Sequence, residues 1–133
     1  MKLQVSRSEA LTDGIRVGVE AEFSPEHSQP VGDRWFFLYT ITITNEGSET
    51  VQLISRHWTI TDATGQVEEV RGLGVVGEQP VLDPGQSYQY TSGCPLATPF
   101  GSMQGSYQLV TSGGNRFDAE VARFDLRDPG AIH

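Results

Sequence analysis

Apolar and polar positions alternate with a period of two over most of this chain. Ile15, Val17, Val19, Ala21 and Phe23 are separated by Arg16, Gly18, Glu20 and Glu22, the pattern of a strand with one buried and one wet face. Ser24 to Asp33 holds Pro25, Pro30 and Gly32 and reads as a loop. From Trp35 to Thr44, the residues Trp35, Phe37, Tyr39, Ile41 and Ile43 share one face. The other face runs from Phe36 and Leu38 to Thr40, Thr42 and Thr44, which suits a central strand whose second face becomes wet toward one end. Asn45-Glu46-Gly47-Ser48 predicts a turn before a strand beginning at Val51 to Ile54. Trp58, Ile60 and the turn Asp62-Ala63-Thr64-Gly65 lead into Gln66 to Arg71, a hairpin. After a glycine-rich stretch, Val81 to Gln86 reads as a turn, and Ser87 to Thr91 as a strand with Tyr88 and Tyr90 on one face. Tyr107, Leu109 and Thr111, then Phe117, Ala119 and Val121, flank Ser112-Gly113-Gly114-Asn115 as a second hairpin. No window of ten or more residues carries a helical apolar stripe free of Gly or Pro. Short strands divided by Gly/Pro turns predict an all-β, antiparallel β-sandwich.

Length and composition add bounds. A chain of 133 residues is one domain, expected to span 1–126 with a C-terminal tail at 127–133. Leu, Ile, Val and Phe supply about a quarter of it, enough for a core of its own. Cys94 stands alone, so neither an intramolecular disulfide nor an all-cysteine metal site is available. Met1-Lys2-Leu3-Gln4-Val5-Ser6-Arg7 lacks the apolar core of a signal peptide, and no apolar run approaches the ~20 residues of a membrane span. These features predict a soluble cytoplasmic domain. Seventeen acids against nine bases give a net charge of −8. Lys2 is the only lysine, and the arginines are scattered from Arg7 to Arg127. Without a basic stripe there is nothing to replace phosphate counterions, so neither nucleic acid nor an anionic membrane is an expected partner.

Candidate chemistry is sparse. Gly72-Leu73-Gly74-Val75-Val76-Gly77 matches G-x-G-x-x-G literally. In a dinucleotide fold those glycines turn a strand into a helix whose N-terminal amides hold pyrophosphate. Here Pro80 and Pro84 block a long helix, no acid lies between Asp83 and Asp118 to hold a ribose, and Glu68, Glu69 and Glu78 flank the loop against Arg71. The glycines are therefore expected to serve positive φ and close backbone packing. His27, His57 and His133 form no i, i+2 or i, i+4 pair, and no set of ligands for a dedicated metal site is apparent. Cys94 with His57 is the one nucleophile–base combination to be tested, against the plainer expectation that Cys94 is a packing residue. Arg56-His57-Trp58 is expected to make a structural Arg–aromatic or Arg–carboxylate contact at one strand end. Leu73, Val75, Val76, Pro80, Leu82, Leu96, Pro99, Phe100 and Met103 fall in irregular stretches. Some should cover the ends of the core, and a contiguous exposed part would mark a partner surface.

Several runs resemble one family. Ser55-Arg56-His57-Trp58 with Ile60, Thr61, Asp62 and Gly65, then Val70 through Pro80, resemble the bacterial ApaG proteins. The likeness continues through Leu82, Pro84-Gly85, Tyr90 to Gly93, Pro95-Leu96, Gly101, Met103-Gln104-Gly105 and Tyr107, and covers about Val5 to Leu126. It departs at Ala122-Arg123, where the family usually has a proline. The resemblance implies an immunoglobulin- or fibronectin type III-like sandwich. It also implies a single bacterial domain that recurs as an interaction module in eukaryotic F-box and polymerase-δ-interacting proteins. The family's gene neighbourhood with a diadenosine-tetraphosphate hydrolase and its tie to cobalt/magnesium tolerance identify no reaction.

The expected function is a non-enzymatic binding module of unassigned biochemical role, with no cofactor and a protein partner. The expected patch joins the Val75, Val76 and Phe100 loops at one end of the sandwich. Polar specificity would come from Arg56, Arg71 or Glu78, with Gly72, Gly74 and Gly77 shaping the loop. Edge strands offer a second route, to a partner or to a homodimer. The rival reading is a binder of pyrophosphate-containing nucleotides or divalent cations through the Gly72–Gly77 loop.

Overall fold

The computed structural model describes residues 5–131, so Met1 to Gln4 of the N-terminal stretch and Ile132 and His133 of the expected tail lie outside the described residues. The described residues form nine strands: β1 (Ser6–Thr12), β2 (Ile15–Phe23), β3 (Trp35–Asn45), β4 (Val51–Asp62), β5 (Val67–Leu73), β6 (Val81–Leu82), β7 (Ser87–Leu96), β8 (Phe100–Thr111) and β9 (Arg116–Arg127). Two antiparallel sheets result, β1-β2-β3-β7 and β5-β4-β8-β9, with β6 pairing β4 beyond β5. Two single 3₁₀ turns, Pro25–His27 and Pro30–Gly32, occupy the loop before β3. Among the described residues no helix is long and apolar enough to cross a membrane.

The period-two faces meet between the sheets. Ile15, Val17, Val19 and Ala21 from β2 and Phe37, Tyr39, Ile41 and Ile43 from β3 are buried against Leu53, Trp58, Tyr107, Leu109, Val121 and Phe124. The valine, leucine, isoleucine and phenylalanine side chains among them contribute about 1.5–3 kcal/mol each on burial. Trp58 sits in an aromatic cluster, with ring centroids 5.6 Å from Tyr39 and 6.0 Å from Phe124. One side of the sandwich is closed by β1 against β9, where Ser8 Oγ donates to the Ala122 carbonyl at 2.8 Å and Glu120 N donates to Thr12 Oγ1 at 3.1 Å. On the other side the edges are β7 in one sheet and β5 with β6 in the other.

Three departures from the sequence pattern have physical reasons. Strand β1 carries no apolar alternation, because the residues sharing a face with the buried side of β2 are small and mostly polar: Ser6, Ser8 and Ala10 pair Ala21, Val19 and Val17. Strands β7 and β8 run through the stretch read as irregular, reaching Leu96 and starting at Phe100. Pro95 is tolerated there because β7 is an edge strand and can present a position without an N–H to solvent. The expected tail is shorter than 127–133, since Arg127 is still paired with Phe100 and Asp128 N donates to the Pro99 carbonyl at 2.9 Å. The Ala122-Arg123 departure falls at a register shift, where Met103 pairs Phe124 and Gly105 pairs Val121. The strand continues past the missing proline.

Candidate functional site

The glycine-rich segment is a flap along the free edge of β4. Register shifts between Leu53 and Ser55, so Ile54 is a bulge. The bulge reverses which residues face inward: Leu53 before it and Trp58 after it are both buried, although five positions apart. Residues 55–61 of β4 pair β5, Val51 and Gln52 pair β6, and the flap spans the interval between them. The Ile54 carbonyl accepts from Gly74 N at 2.8 Å and from Gln79 Nε2 at 2.9 Å. Leu53 N donates to the Pro80 carbonyl at 3.0 Å, and Gln52 Nε2 to the Gln79 carbonyl at 3.2 Å.

Inside the flap, Val75 N donates to the Glu78 carbonyl at 2.8 Å and Glu78 N to the Val75 carbonyl at 2.9 Å. Val76 (φ 43°) and Gly77 (φ 82°) are the two central residues, and positive φ at both is the signature of a type I′ turn. Gly77 adopts that conformation freely. Val76 is β-branched, a residue for which left-handed backbone is strained by about 1–3 kcal/mol. Gly74 is also left-handed, and a Cβ there would lie 2.3 Å from the Glu78 carbonyl oxygen. A Cβ on Gly72 would stand 2.9 Å from the guanidinium atoms of Arg56. The motif is thus accounted for by a tight turn and by Arg56, whose NH1 donates to the Leu73 carbonyl at 3.0 Å and the Gly74 carbonyl at 2.8 Å. Strand β6 follows, where a dinucleotide fold would need a helix.

These contacts correct the expected patch. Val75 is 1 % exposed and belongs to the core, as do Leu82, Leu96 and Met103. Phe100, 37 % exposed, begins β8 beside the Asp62 end of β4. That is eight residues from Ile54, roughly 25 Å along an extended strand; it cannot share one patch with Val76. Arg56 lies within β4 rather than at its end, and it clamps backbone carbonyls instead of an aromatic ring or a carboxylate. Arg71 is exposed beside Glu69, 3.9 Å away, and Glu78 is exposed at the turn. What this segment leaves exposed is Leu73 (75 % exposed), Val76 (57 %) and Val81 (56 %). The register sets Leu73 opposite Ser55 and Val81 opposite Gln52, on either side of the bulge. The sequence places Val81 in a turn, and its one signal as an exposed strand position is its alternation with the buried Leu82.

A groove of about 490 Å³ lies beside Leu73 on the outer face of the sheet, lined also by Ser55, Arg56, His57, Arg71, Gly72, Gln108 and Asp118. Its polar groups are largely paired: His57 Nε2 with Glu69 at 2.8 Å, and Ser55 Oγ donating to Gln108 Oε1 at 2.9 Å. The structure does not bring Cys94 and His57 together. Cys94 is buried on β7, in the other sheet from His57, and burial, reinforced by the negative charge of Glu68, pushes its thiol up to about 12. Burial likewise raises the phenols of Tyr90 and Tyr107, which hydrogen-bond each other, while the Arg56 charge works in the opposite direction. Among the described residues no group of three His, Cys, Asp or Glu side chains is placed to hold a metal ion.

Comparison with known proteins places this geometry. The ApaG domain model matches residues 25–111. Protein ApaG of Thiobacillus denitrificans is 56% identical over 119 residues, covering 90% of this chain and 94% of its own. Protein ApaG of Methylorubrum extorquens is 58% identical over 120 residues, covering 90% and 92%. A Bordetella pertussis crystal structure assigned to ApaA superposes with a TM-score of 0.85 at 50% identity, over 88% of this chain and 95% of that one. With a family model matched across most of its length and relatives above half identity over nine-tenths of it, this β-sandwich belongs to the ApaG family.

Proposed function

We propose that this domain is a non-enzymatic binding module of the cytoplasm that docks a protein through the β4–β5–β6 edge. The observation that carries the reading is the exposure of three apolar residues, Leu73 at the end of β5, Val76 at the turn tip and Val81 at the start of β6, around a flap hydrogen-bonded to β4 at Gly74, Gln79 and Pro80. An exposed, rigid apolar centre beside a hydrogen-bonded polar surface is the anatomy of a protein interface. The strain at Val76 adds to it, because a valine held left-handed and exposed at a turn tip gains nothing for the fold. Arg71, His57 and Asp118 would supply the polar rim. On this reading any link to cobalt or magnesium tolerance runs through the partner.

Affinity capture and crosslinking from cell extract test it. Leu73→Glu should abolish capture, whereas Val67→Glu, another exposed apolar position (55 %) at the other end of β5, should leave it intact. Capture that survives Leu73→Glu in a folded variant, or that Val67→Glu removes equally, sinks the assignment. The rival reading of a pyrophosphate or divalent-cation site needs free amides at the glycine loop, and those of Gly74, Val75 and Glu78 are already donated internally. Amide NMR titration with pyrophosphate, Mg²⁺ and Co²⁺ is expected to leave residues 72–77 unshifted; saturable shifts there would replace the docking reading.

A further inference from the structure

Strand β7 carries a separate inference, independent of the flap. Natural edge strands are commonly blunted by charges, prolines, bulges or brevity. The β5 edge fits that rule, with Glu68, Glu69 and Arg71 among its seven residues. The β7 edge does not: its ten residues, Ser-Tyr-Gln-Tyr-Thr-Ser-Gly-Cys-Pro-Leu, carry no charge, and a single proline lies near the end. The charges on the outer face of this sheet are segregated. On β1 and β2, Arg7 pairs Glu20 at 3.1 Å, and Arg16 pairs Glu9 at 3.5 Å. Across β3 and β7 the same face is an uncharged ladder, Thr40 with Thr91 and Thr44 with Ser87 at 2.8 Å, and Gln89 with Thr42 at 2.9 Å. In a chain of net charge −8 this is the edge along which two copies meet without opposing charges.

Backbone parity completes the argument. Asn45 N donates to the Gln86 carbonyl at 2.9 Å, so the alternation of an antiparallel ladder turns the groups of Tyr88, Tyr90, Ser92 and Cys94 toward β3. Ser87, Gln89, Thr91 and Gly93 then point their N–H and C=O groups away from the sheet. The missing N–H of Pro95 falls in the same outward row, where it costs no ladder bond. An antiparallel pairing centred on Tyr90 sets Ser87 opposite Gly93 of a second copy and Gln89 opposite Thr91. All four outward residues are then used and Pro95 lies outside the pair. We infer that β7 pairs antiparallel with β7 of a second copy of this chain about a two-fold axis at Tyr90, joining two four-stranded sheets into one.

Sedimentation and light scattering of the full chain from about 10 µM to about 1 mM test this, a range suited to a small interface. The mass is expected to rise from 14.5 kDa toward twice that value. The amides of Gln89, Thr91 and Gly93 should become slower to exchange with concentration, at least about tenfold across the range. Thr91→Pro removes an outward N–H, and Gln89→Lys puts like charges across the axis while keeping the backbone; each should hold the mass at one chain. The lysine variant serves where the proline variant fails to fold. A chain that stays monomeric throughout, a dimer that persists in folded Gln89→Lys, or protection confined to β5 overturns the proposal. A monomer whose β7 amides become protected only with an added peptide also overturns it, in favour of strand addition by another chain.

Discussion

Val76 and Gly74 lie two residues apart in one flap, both left-handed, yet they make opposite demands on their side chains. At Gly74 a methyl group would strike the Glu78 carbonyl at 2.3 Å as well as strain the backbone. Gly74→Ala is therefore expected to destabilise by at least about 2 kcal/mol, read as a fall in the denaturant midpoint at unchanged slope. At Val76 the added group already points to solvent and only the backbone is strained. Val76→Asn keeps a side chain but suits the left-handed region, so it should gain about 1 kcal/mol, a rise of roughly 4 °C in Tm. If this variant gains stability and loses partner capture together, the strain is retained for the surface it presents. A loss of stability in Val76→Asn would mean that the valine packs on the flap after all. Neither residue's role was legible from the G-x-G-x-x-G spacing. The spacing signals tight turns, while which glycine clears a carbonyl depends on the strand the flap folds against.

Between elements, the decisive couplings cross from one strand to the next. Gly72 on β5 is opposite Arg56 on β4, and the guanidinium occupies the space a side chain would take. Gly72→Ala should destabilise the native chain, and less so in an Arg56→Ala background, with a coupling energy of about 1 kcal/mol in the double-mutant cycle. Additive effects would mean that Gly72 serves something other than Arg56. Asn45 is a second coupling, 1 % exposed at the end of β3. Its Nδ2 donates to the Glu49 carbonyl at 2.8 Å and the Leu82 carbonyl at 2.9 Å, and its Oδ1 accepts from Gly47 N at 2.9 Å. It holds the crossover between the sheets to the flap's far end. Asn45→Ala leaves buried backbone groups unpaired and should cost about 2–4 kcal/mol in equilibrium unfolding. The Asn-Glu-Gly-Ser turn was visible in sequence; that its asparagine also reaches Leu82, 37 residues on, was not.

At the scale of the molecule, alkaline stability reports the inter-sheet core. The folded thiol of Cys94 titrates at about 12, against about 8.5 for an unfolded cysteine. A raised native value means that the folded state holds its proton more tightly. Its contribution is complete below about pH 8.5 and is lost as pH climbs toward 12. Tyr90 and Tyr107, raised by burial, add to the loss above about pH 10. The denaturant midpoint should thus fall steadily from pH 8.5 to 11, and Cys94→Ala should flatten the first part of that fall. Native Cys94 should also resist alkylation at neutral pH until the chain unfolds. Rapid labelling of the folded protein would contradict its burial.

The class of fold was determined by local pattern. Alternation in Ile15 to Phe23 and Trp35 to Thr44, punctuated by Asn-Glu-Gly-Ser and Ser-Gly-Gly-Asn, specifies strands and turns because each strand must hide one face whatever its partner is. Family membership was legible for the same reason, carried by contiguous runs such as Gly-Val-Val-Gly-Glu-Gln-Pro. Tertiary structure decided everything that depends on which strand lies beside which. It made a strand of the weakly patterned Ser6–Thr12, because β2 and β9 offered it places to pair and to pack. Through the bulge at Ile54 it put Val75 in the core and Leu73 and Val81 outside, and it sent Phe100 to the far end of the sheet. It also left the uncharged β7 at an edge. A residue's exposure follows from the sum of contacts made by distant neighbours, and period-two alternation records only that a face exists, not what meets it.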